Sequence, residues 1–423
     1  MSLLGSLLTF PSGKVAPTRT LKSAMTERLA SYDQENLDER GKPSAEYLEL
    51  YKQWGQGQIG IIVLGNIPVD RKGLEAKGNA IIDARSPWDP VEAFKPSIAA
   101  CKAHGSLVIG QLTHGGRQVS EEVDPTPKSS SDVQCPPMMG MTFGKPTPLT
   151  IEEIDALVVA WGYAAKKLYE AGADGAQLHS AHGYLLSQFL SARVNKRTDD
   201  YGGSLENRAR IVLRVVDEIK KQVTDPSFII SIKINSADFS EGGMTPEESR
   251  QVCQWLDERG LQLIELSGGT YESMAFEHKK ESTKKREGYF VEFAEAIKPH
   301  IKKAKICVTG GFRSKAAMEE ALQSKATDLA GLGRPLTAEP HLIRDMLEGK
   351  TDAAKPNLVD NSIQTGTSIA QIGAIAKGQP IPDLSVQKEA DELVAAMMGK
   401  APEKKPAGAS HNTEQGYHPE DGK

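Results

Sequence analysis

Short apolar runs alternate with longer amphipathic segments along most of the chain. Most of the runs are apolar throughout rather than alternating with polar residues, which is typical of parallel strands buried on both faces. They predict eight strands, at residues 20–24, 59–64, 107–112, 175–179, 228–234, 263–267, 306–309 and 329–332.

Helix-start signals fall between the predicted strands. Thr150 and Glu153 have the spacing of a capping box, in which each residue satisfies a backbone N–H group of the other. Thr245 and Glu248 repeat that spacing, and Pro246 suits the first helical position. Further helices are predicted at residues 44–54 and 90–104, after Ser204, after Ser314 and at 384–399.

Eight strands alternating with about as many helices form the rhythm of a (β/α)8 TIM barrel, a fold of the α/β class. Residues 1–350 are therefore predicted to be one barrel domain. Residues 351–380 carry few periodic signals, and 351–400 are predicted to be a C-terminal extension. Residues 401–423 contain almost no aliphatic side chains, which predicts a disordered polar tail.

A doubly wound sheet is the main alternative fold, and it would require a dinucleotide-binding turn after the first strand. Gly55, Gly57 and Gly60 do match the G-x-G-x-x-G spacing. They follow a predicted helix and precede a predicted strand, which is the wrong order for a phosphate-binding turn. The glycines are better interpreted as the end of a helix and a flexible turn.

Composition and charge restrict the function classes. The chain has 423 residues, of which 39% are hydrophobic and 25% charged, as in ordinary globular proteins. Its formal net charge of −5 argues against general nucleic-acid binding, which needs a basic surface. No apolar stretch approaches the ~18 residues that span a bilayer, so no membrane contact is predicted. The apolar run near the N-terminus is too short for a secretory signal, which predicts a cytoplasmic location.

The four cysteines are far apart in the sequence, at Cys101, Cys135, Cys253 and Cys307. Zinc fingers and iron–sulfur clusters need clustered thiolates, so neither is predicted. Free thiols in a reducing compartment are expected instead.

The candidate catalytic residues follow the fourth predicted strand, where a barrel carries part of its active site. His179 and His182 can hydrogen-bond a substrate oxygen, and the phenol of Tyr184 can donate a proton. The three would face one region if the chain turned helically there. A structural pair of histidines is one alternative. A two-histidine metal site is another, but no third ligand is evident, so no metal is predicted.

Glycines follow the seventh and eighth predicted strands, the two loops that form phosphate sites in TIM barrels. Gly310 and Gly311 follow the seventh, while Gly333 and Arg334 follow the eighth. A backbone without side chains allows close approach to a phosphate, and the adjacent guanidinium adds charge. Simple turn glycines are the alternative interpretation.

Two further polar residues lie on or at the end of predicted strands. Gln111 can donate to and accept from a heterocycle. Lys233 lies within the fifth strand, where a desolvated cation needs a partner. A bound anion, an electron-rich ring and a salt bridge to a neighbouring carboxylate all remain open for it. Together the candidates suit a phosphorylated heterocyclic cofactor with an oxygenated substrate above it.

Residues 179–207, HSAHGYLLSQFLSARVNKRTDDYGGSLEN, closely resemble the signature of the old yellow enzyme family of FMN-dependent oxidoreductases. Further matches follow in order over about residues 10–350, at 19–27, 60–65, 111–117, 309–312 and 331–335.

This resemblance implies that NADPH or NADH reduces FMN, which then reduces an activated C=C bond of an α,β-unsaturated carbonyl compound, a small enone-type substrate. It implies that His179 and His182 bind the substrate oxygen and that Tyr184 is the proton donor. Lys233 falls where an arginine is more usual, which keeps the charge but loses the bidentate fork. The positions implied to bind the cofactor are Ala24, Met25, Thr26, Gly65, Gln111, Lys233, Gly310, Gly311, Gly333 and Arg334.

Three alternatives to an ene-reductase remain. One is the chemistry of larger relatives that carry an iron–sulfur cluster. Another is a flavin-binding barrel that acts as an isomerase or oxidase in a biosynthetic pathway, or as a non-reductase flavoprotein. The last is a flavin-free aldolase-type barrel. The physiological substrate, the choice between NADH and NADPH and a homo-oligomeric state stay open, with substrate loops predicted near residues 119–143 and 271–289.

Overall fold

The computed structural model describes residues 2–138, 140–238, 241–268, 287 and 290–399. The second predicted substrate loop, apart from Glu287, and the predicted tail therefore lie outside the described residues.

Eight parallel strands close into a barrel, which confirms the predicted fold and all eight predicted strands. An antiparallel hairpin, β1 and β2, precedes the barrel, and β6 pairs with β7 outside it. The strands are β1 Leu8–Thr9, β2 Val15–Ala16, β3 Thr20–Lys22, β4 Ile61–Pro68, β5 Leu107–Thr113, β6 Lys128–Ser129, β7 Thr147–Pro148, β8 Gly175–Ser180, β9 Ile229–Asn235, β10 Leu263–Ser267, β11 Lys305–Thr309 and β12 Leu329–Leu332. The barrel order is β3-β4-β5-β8-β9-β10-β11-β12, and β12 pairs back onto β3.

Helices cover the outside of the barrel. Both predicted capping boxes form, at Thr150 and Thr245, and Ser44, Ser204 and Ser314 accept N-cap hydrogen bonds as predicted. The helices are α1 Ala45–Gly55, α2 Pro90–Lys102, α3 Ile151–Glu170, α4 Leu185–Leu190, α5 Leu205–Gln222, α6 Pro246–Glu258, α7 Val291–Ile297, α8 Lys315–Gln323, α9 Pro335–Ala338, α10 Leu342–Leu347, α11 Gln364–Ala376 and α12 Gln387–Met397. None of these described helices is long and apolar enough to span a membrane.

The interior of the barrel changes character from bottom to top. Its lower layer is apolar, with Leu21, Ile61 and Leu263 packed against the β1–β2 hairpin, whose Leu8 and Phe10 close the N-terminal end. The inward-facing residues near the C-terminal ends are polar; they include Ser23, Gln111, Gln177, Lys233, Glu265 and Thr309. The fold therefore places its buried polar groups at the end where barrel enzymes carry their active sites.

The C-terminal extension packs against the barrel domain. Helix α11 contacts α1 and α9, and Thr337 donates a hydrogen bond to Gln371 Oε1 at 2.9 Å. Few periodic signals were expected here, and a 13-residue helix is found instead. Its apolar and small residues are buried on several sides, and a Cβ at Gly366 would meet Met397 of α12, so the sequence shows no clear amphipathic stripe.

Candidate active site

A cavity of about 670 Å³ opens at the C-terminal ends of the barrel strands. Most of the predicted site residues line it: Ala24, Met25, Thr26, His182, Tyr184, Lys233, Gly310, Gly311, Gly333 and Arg334. Three others, Gly65, Gln111 and His179, do not line it. Of these, His179 contacts the lining directly, because its imidazole lies against both His182 and Tyr184.

The histidine–tyrosine cluster is assembled by a left-handed turn. His179 ends the inward face of β8, and then His182 and Gly183 both adopt positive φ, of 58° and 79°. Tyr184 occupies the N-cap of α4. The chain does not turn helically there, because His182 and Gly183 both lie in the left-handed region. They nevertheless bring the rings together: His179 lies 4.5 Å from Tyr184, between ring centroids.

Both imidazoles are neutral at physiological pH. Burial, reinforced by the charge of Lys233, lowers the pKa of His182 to about 3. Burial also lowers the pKa of His179 well below its usual value. A neutral imidazole has one donor and one acceptor nitrogen, so the hydrogen bonds around each ring decide which nitrogen carries the proton.

A chain of hydrogen bonds runs through the two rings. Thr113 Oγ1 lies 3.3 Å from His179 Nδ1, and His179 Nε2 lies 3.2 Å from His182 Nδ1. His182 Nε2 in turn lies 2.9 Å from the hydroxyl of Ser267, which also lines the cavity. A substrate oxygen that binds His182 would therefore replace either the bond to Ser267 or the bond between the rings.

Glu265 is the centre of a polar network beside the cavity. It is fully buried and accepts from Ser23 Oγ at 2.6 Å and from Gln177 Nε2 at 2.9 Å. Although burial opposes ionisation, the charge of Lys233 and these hydrogen bonds hold the pKa of Glu265 below its usual value. Because a carboxylate only accepts, the Gln177 amide points its nitrogen at Glu265 and its oxygen at Gln111 Nε2, 2.7 Å away.

Lys233 forms the salt bridge that was one of its three open interpretations. Its Nζ lies 3.2 Å from Glu265 Oε1 and donates to Ser23 Oγ at 2.7 Å. Lys233 also lines the cavity, so its ammonium group can still face a bound ring. Its charge is shared with a buried carboxylate.

The opposite end of the cavity suits a phosphate. Gly310 and Gly311 have φ of 129° and 91°, which only glycine adopts without strain. A Cβ carbon added at Gly333 would meet only the sulfur of Met25, 3.8 Å away, so the backbone of Gly333 is open to the cavity. Arg334 supplies a cation beside these glycines. The residues present therefore fit a phosphorylated group.

The wall formed after β3 is built from Ala24, Met25 and Thr26. Thr26 donates a hydrogen bond to Glu75 Oε2 at 2.8 Å. Behind this wall, Gly65 has a φ of 95° at a bulge in β4, and its N–H group donates to Tyr51 Oη at 2.9 Å.

Sequence reasoning missed several residues of the site. Ser23, Ser267 and Glu265 are polar residues near the ends of apolar strand runs, and that interruption was the available signal. A larger group of missed lining residues comes from the C-terminal extension, where no motif marked them: Pro356, Asn357, Asn361, Gln364, Thr365, Ile369 and Ile372.

The chain matches known proteins over most of its length. The sequence profile of the NADH:flavin oxidoreductase / NADH oxidase family matches residues 16–353. The chain belongs to this family. Its family relatives include the NADH-dependent flavin oxidoreductase nadA of Aspergillus parasiticus, which is 40% identical over 94% of this chain and 91% of its own length. Another is the NADH-dependent flavin oxidoreductase iliE of Hypocrea jecorina, which is 30% identical over 87% of this chain and 95% of its own length.

A solved structure of the old yellow enzyme homologue from Zymomonas mobilis superposes with a TM-score of 0.70. It covers 84% of this chain and 94% of that chain at 22% identity, which supports the shared fold. Membership of the family confirms the predicted flavin oxidoreductase, with FMN as cofactor and a nicotinamide as reductant. It rules out the flavin-free aldolase alternative.

All four cysteines are buried and free, as predicted. Within the described part of the chain, no cluster of three or more histidine, cysteine or acidic residues could hold a metal ion.

Proposed function

We propose that this family member uses a reduced nicotinamide to reduce the activated C=C bond of α,β-unsaturated carbonyl compounds. The observation that carries the proposal is the cluster of two neutral imidazoles and a phenol, His179, His182 and Tyr184, at the cavity. NADH is the proposed reductant, because both relatives named above carry it in their names.

FMN would lie with its phosphate against Gly310, Gly311, Gly333 and Arg334, which supply open backbone and a cation. Its ring system would extend along residues 24–26 toward Lys233. Gly65 on β4 and Gln111 on β5 do not line the cavity. Both are nevertheless proposed to contact the edge of the FMN ring system from their strands. When bound, FMN supplies the hydride chemistry of both half-reactions.

The two histidines act as electrophilic hydrogen-bond donors. Each neutral imidazole can direct an N–H group at the carbonyl oxygen of the acceptor. Such bonds withdraw electrons from the conjugated alkene and stabilise the negative charge that develops on the oxygen. The donor at His182 becomes available when its Nε2 exchanges Ser267 for the substrate oxygen.

Tyr184 is the proposed source of the proton for the α-carbon. A pKa of about 3 leaves His182 without a labile extra proton at neutral pH, so an imidazolium is a poor candidate. The phenol of Tyr184 lines the same cavity, and its ring lies against His179. One cavity then serves the nicotinamide and the acceptor in turn, which gives ping-pong kinetics.

Rapid-mixing kinetics of Tyr184→Phe test this assignment. Reduction of the enzyme by NADH should change less than about threefold, while reoxidation by an enone such as cyclohexenone should slow by ~10²–10⁴-fold. The matched control is Tyr201→Phe, which removes the hydroxyl of a buried tyrosine outside the cavity and should leave both steps intact.

Equal slowing of both half-reactions would contradict the role of Tyr184. A wild-type enzyme that oxidises NADH with oxygen but shows no added turnover with any enone would instead favour the oxidase alternative.

A further inference from the structure

The C-terminal extension forms part of the cavity wall. The family profile ends at residue 353, yet seven cavity-lining residues lie between 356 and 372. They are polar where α11 begins, at Gln364 and Thr365, and apolar further along, at Ile369 and Ile372. This segment therefore lies beyond the matched family region and still shapes the site.

The polar part of this wall contacts the phosphate end of the cavity. Arg334 Nη1 donates a hydrogen bond to Gln364 Oε1 at 2.6 Å. Gln364 is 7% exposed, so the bond is largely shielded from water. A shielded hydrogen bond to a charged group contributes more than an exposed one.

The orientation of the Gln364 amide is fixed. Its Nε2 donates to the carbonyl of Val359 at 2.8 Å, and a carbonyl can only accept. The amide oxygen of Gln364 must then face Arg334. It restrains the guanidinium group without neutralising its charge. Gln364 is also the first residue of α11, and the N–H groups of a helix start favour a nearby anion.

We propose that Gln364 is a positioning residue that holds Arg334 against the phosphate of FMN. The C-terminal extension is accordingly part of the cofactor site. This inference rests on the FMN placement in the proposed function and adds to it a segment that the family profile does not cover.

Flavin binding to the cofactor-free full chain tests the inference, by titration with FMN and with riboflavin, which lacks the phosphate. Gln364→Met keeps the side-chain length and removes the acceptor. We expect it to weaken FMN binding on the order of tenfold and to change riboflavin binding less than about twofold. Gln364→Glu should weaken FMN binding further, because its carboxylate competes with the phosphate for Arg334.

The matched control is Gln371→Met on the same helix. Gln371 is also buried, and it is hydrogen-bonded to Thr337 and to the Pro382 carbonyl, but it does not line the cavity. It should leave the ratio of FMN to riboflavin affinity at the wild-type value.

Equal losses of FMN and riboflavin affinity in Gln364→Met would overturn the inference, because they would mean that the helix is only a structural wall. A wild-type chain that binds neither flavin would overturn the proposed function as well. If Gln364→Met weakened FMN binding selectively as expected, but the wild-type enzyme turned over no enone, only the proposed substrate class would be overturned.

Discussion

Lys22 and Lys233 lie on two strands of the same barrel, and both are almost completely buried. Their surroundings differ because they face opposite sides of the barrel wall. Lys22 follows the inward-facing Leu21 on β3, so it points outward to the helical layer. Lys233 points inward, at the active-site cavity.

Lys22 is held by groups that carry no full opposite charge at contact distance. Its ammonium lies 4.0 Å from the Trp54 ring centroid and 5.1 Å from that of Tyr51, and it donates to the carbonyl of Val63 at 3.0 Å. Burial lowers the pKa of Lys22 to about 8, even though the charge of Glu27 opposes the shift.

Lys233 has a carboxylate, Glu265, directly beside it. Strands β9 and β10 are neighbours, and their register places Lys233 opposite Glu265. The same argument, that a buried cation needs a partner, thus has two different solutions in one barrel. A lysine within a strand therefore does not by itself indicate a ligand site, since a carboxylate on the neighbouring strand can be its partner.

Replacing Lys233 should have the largest effect on stability. Lys233→Met leaves Glu265 buried without its cation, so we expect the free energy of unfolding to fall by about 3–5 kcal/mol. Lys22→Met should cost less, since no directly paired carboxylate is left behind. Urea unfolding of the flavin-free chains, followed by circular dichroism, measures both.

The double variant Lys233→Met/Glu265→Gln is the control for that prediction. A neutral amide keeps polar partners such as Ser23 and Gln177 without the buried charge, so most of the lost stability should return. If the single and double variants were equally unstable, the ion pair would not be the cause.

The difference between the two lysines is partly predictable from the sequence. Within the eight predicted strand runs, Lys22 and Lys233 are the only cations and Glu265 is the only carboxylate. Composition alone does not decide which lysine the carboxylate joins. Neighbouring strands and their register decide it, and a barrel of the predicted order already places the fifth and sixth strands side by side.

Some features of the structure follow local sequence patterns, while others depend on tertiary contacts that no local pattern records. The strands were predictable because their runs are apolar on both faces. Glycines after the last two strands indicated residues near the active site of a barrel, and these glycines do line the cavity. The left-handed turn at His182 was not predictable, since a histidine seldom adopts positive φ. Gln364 was not, because it reaches the cavity through the packing of α11 against α1 and α9.

At alkaline pH, the titration of Lys22 should change the free energy of unfolding by a smaller amount than the loss of Lys233 does. The folded pKa of Lys22 is about 8 and its unfolded value 10.5, so between these values the unfolded chain binds a proton that the folded chain does not. Stability contributed by Lys22 therefore rises with pH across this window, by about 3 kcal/mol in total. The wild-type minus Lys22→Met difference in unfolding free energy should rise accordingly, and parallel curves from pH 7.5 to 10.5 would contradict the assignment.

The smallest change in the free energy of unfolding should be found at acid pH, and it comes from the titratable groups near Lys233. The folded pKa of Glu265 lies below 4.5, so its contribution to stability is present above that pH and is lost as the pH falls through the folded value. His182, at about 3 in the folded chain and 6.5 unfolded, acts in the same direction. Lys233→Met/Glu265→Gln should consequently lose less stability than wild type between pH 5 and 3, measured again by urea unfolding. Lys22→Met should keep more of the wild-type slope there than the double variant does, because Lys22 is not among the groups that shift the pKa of Glu265 or of His182. A slope as shallow as that of the double variant would contradict the assignment of the acid effect to the pair of Lys233 and Glu265.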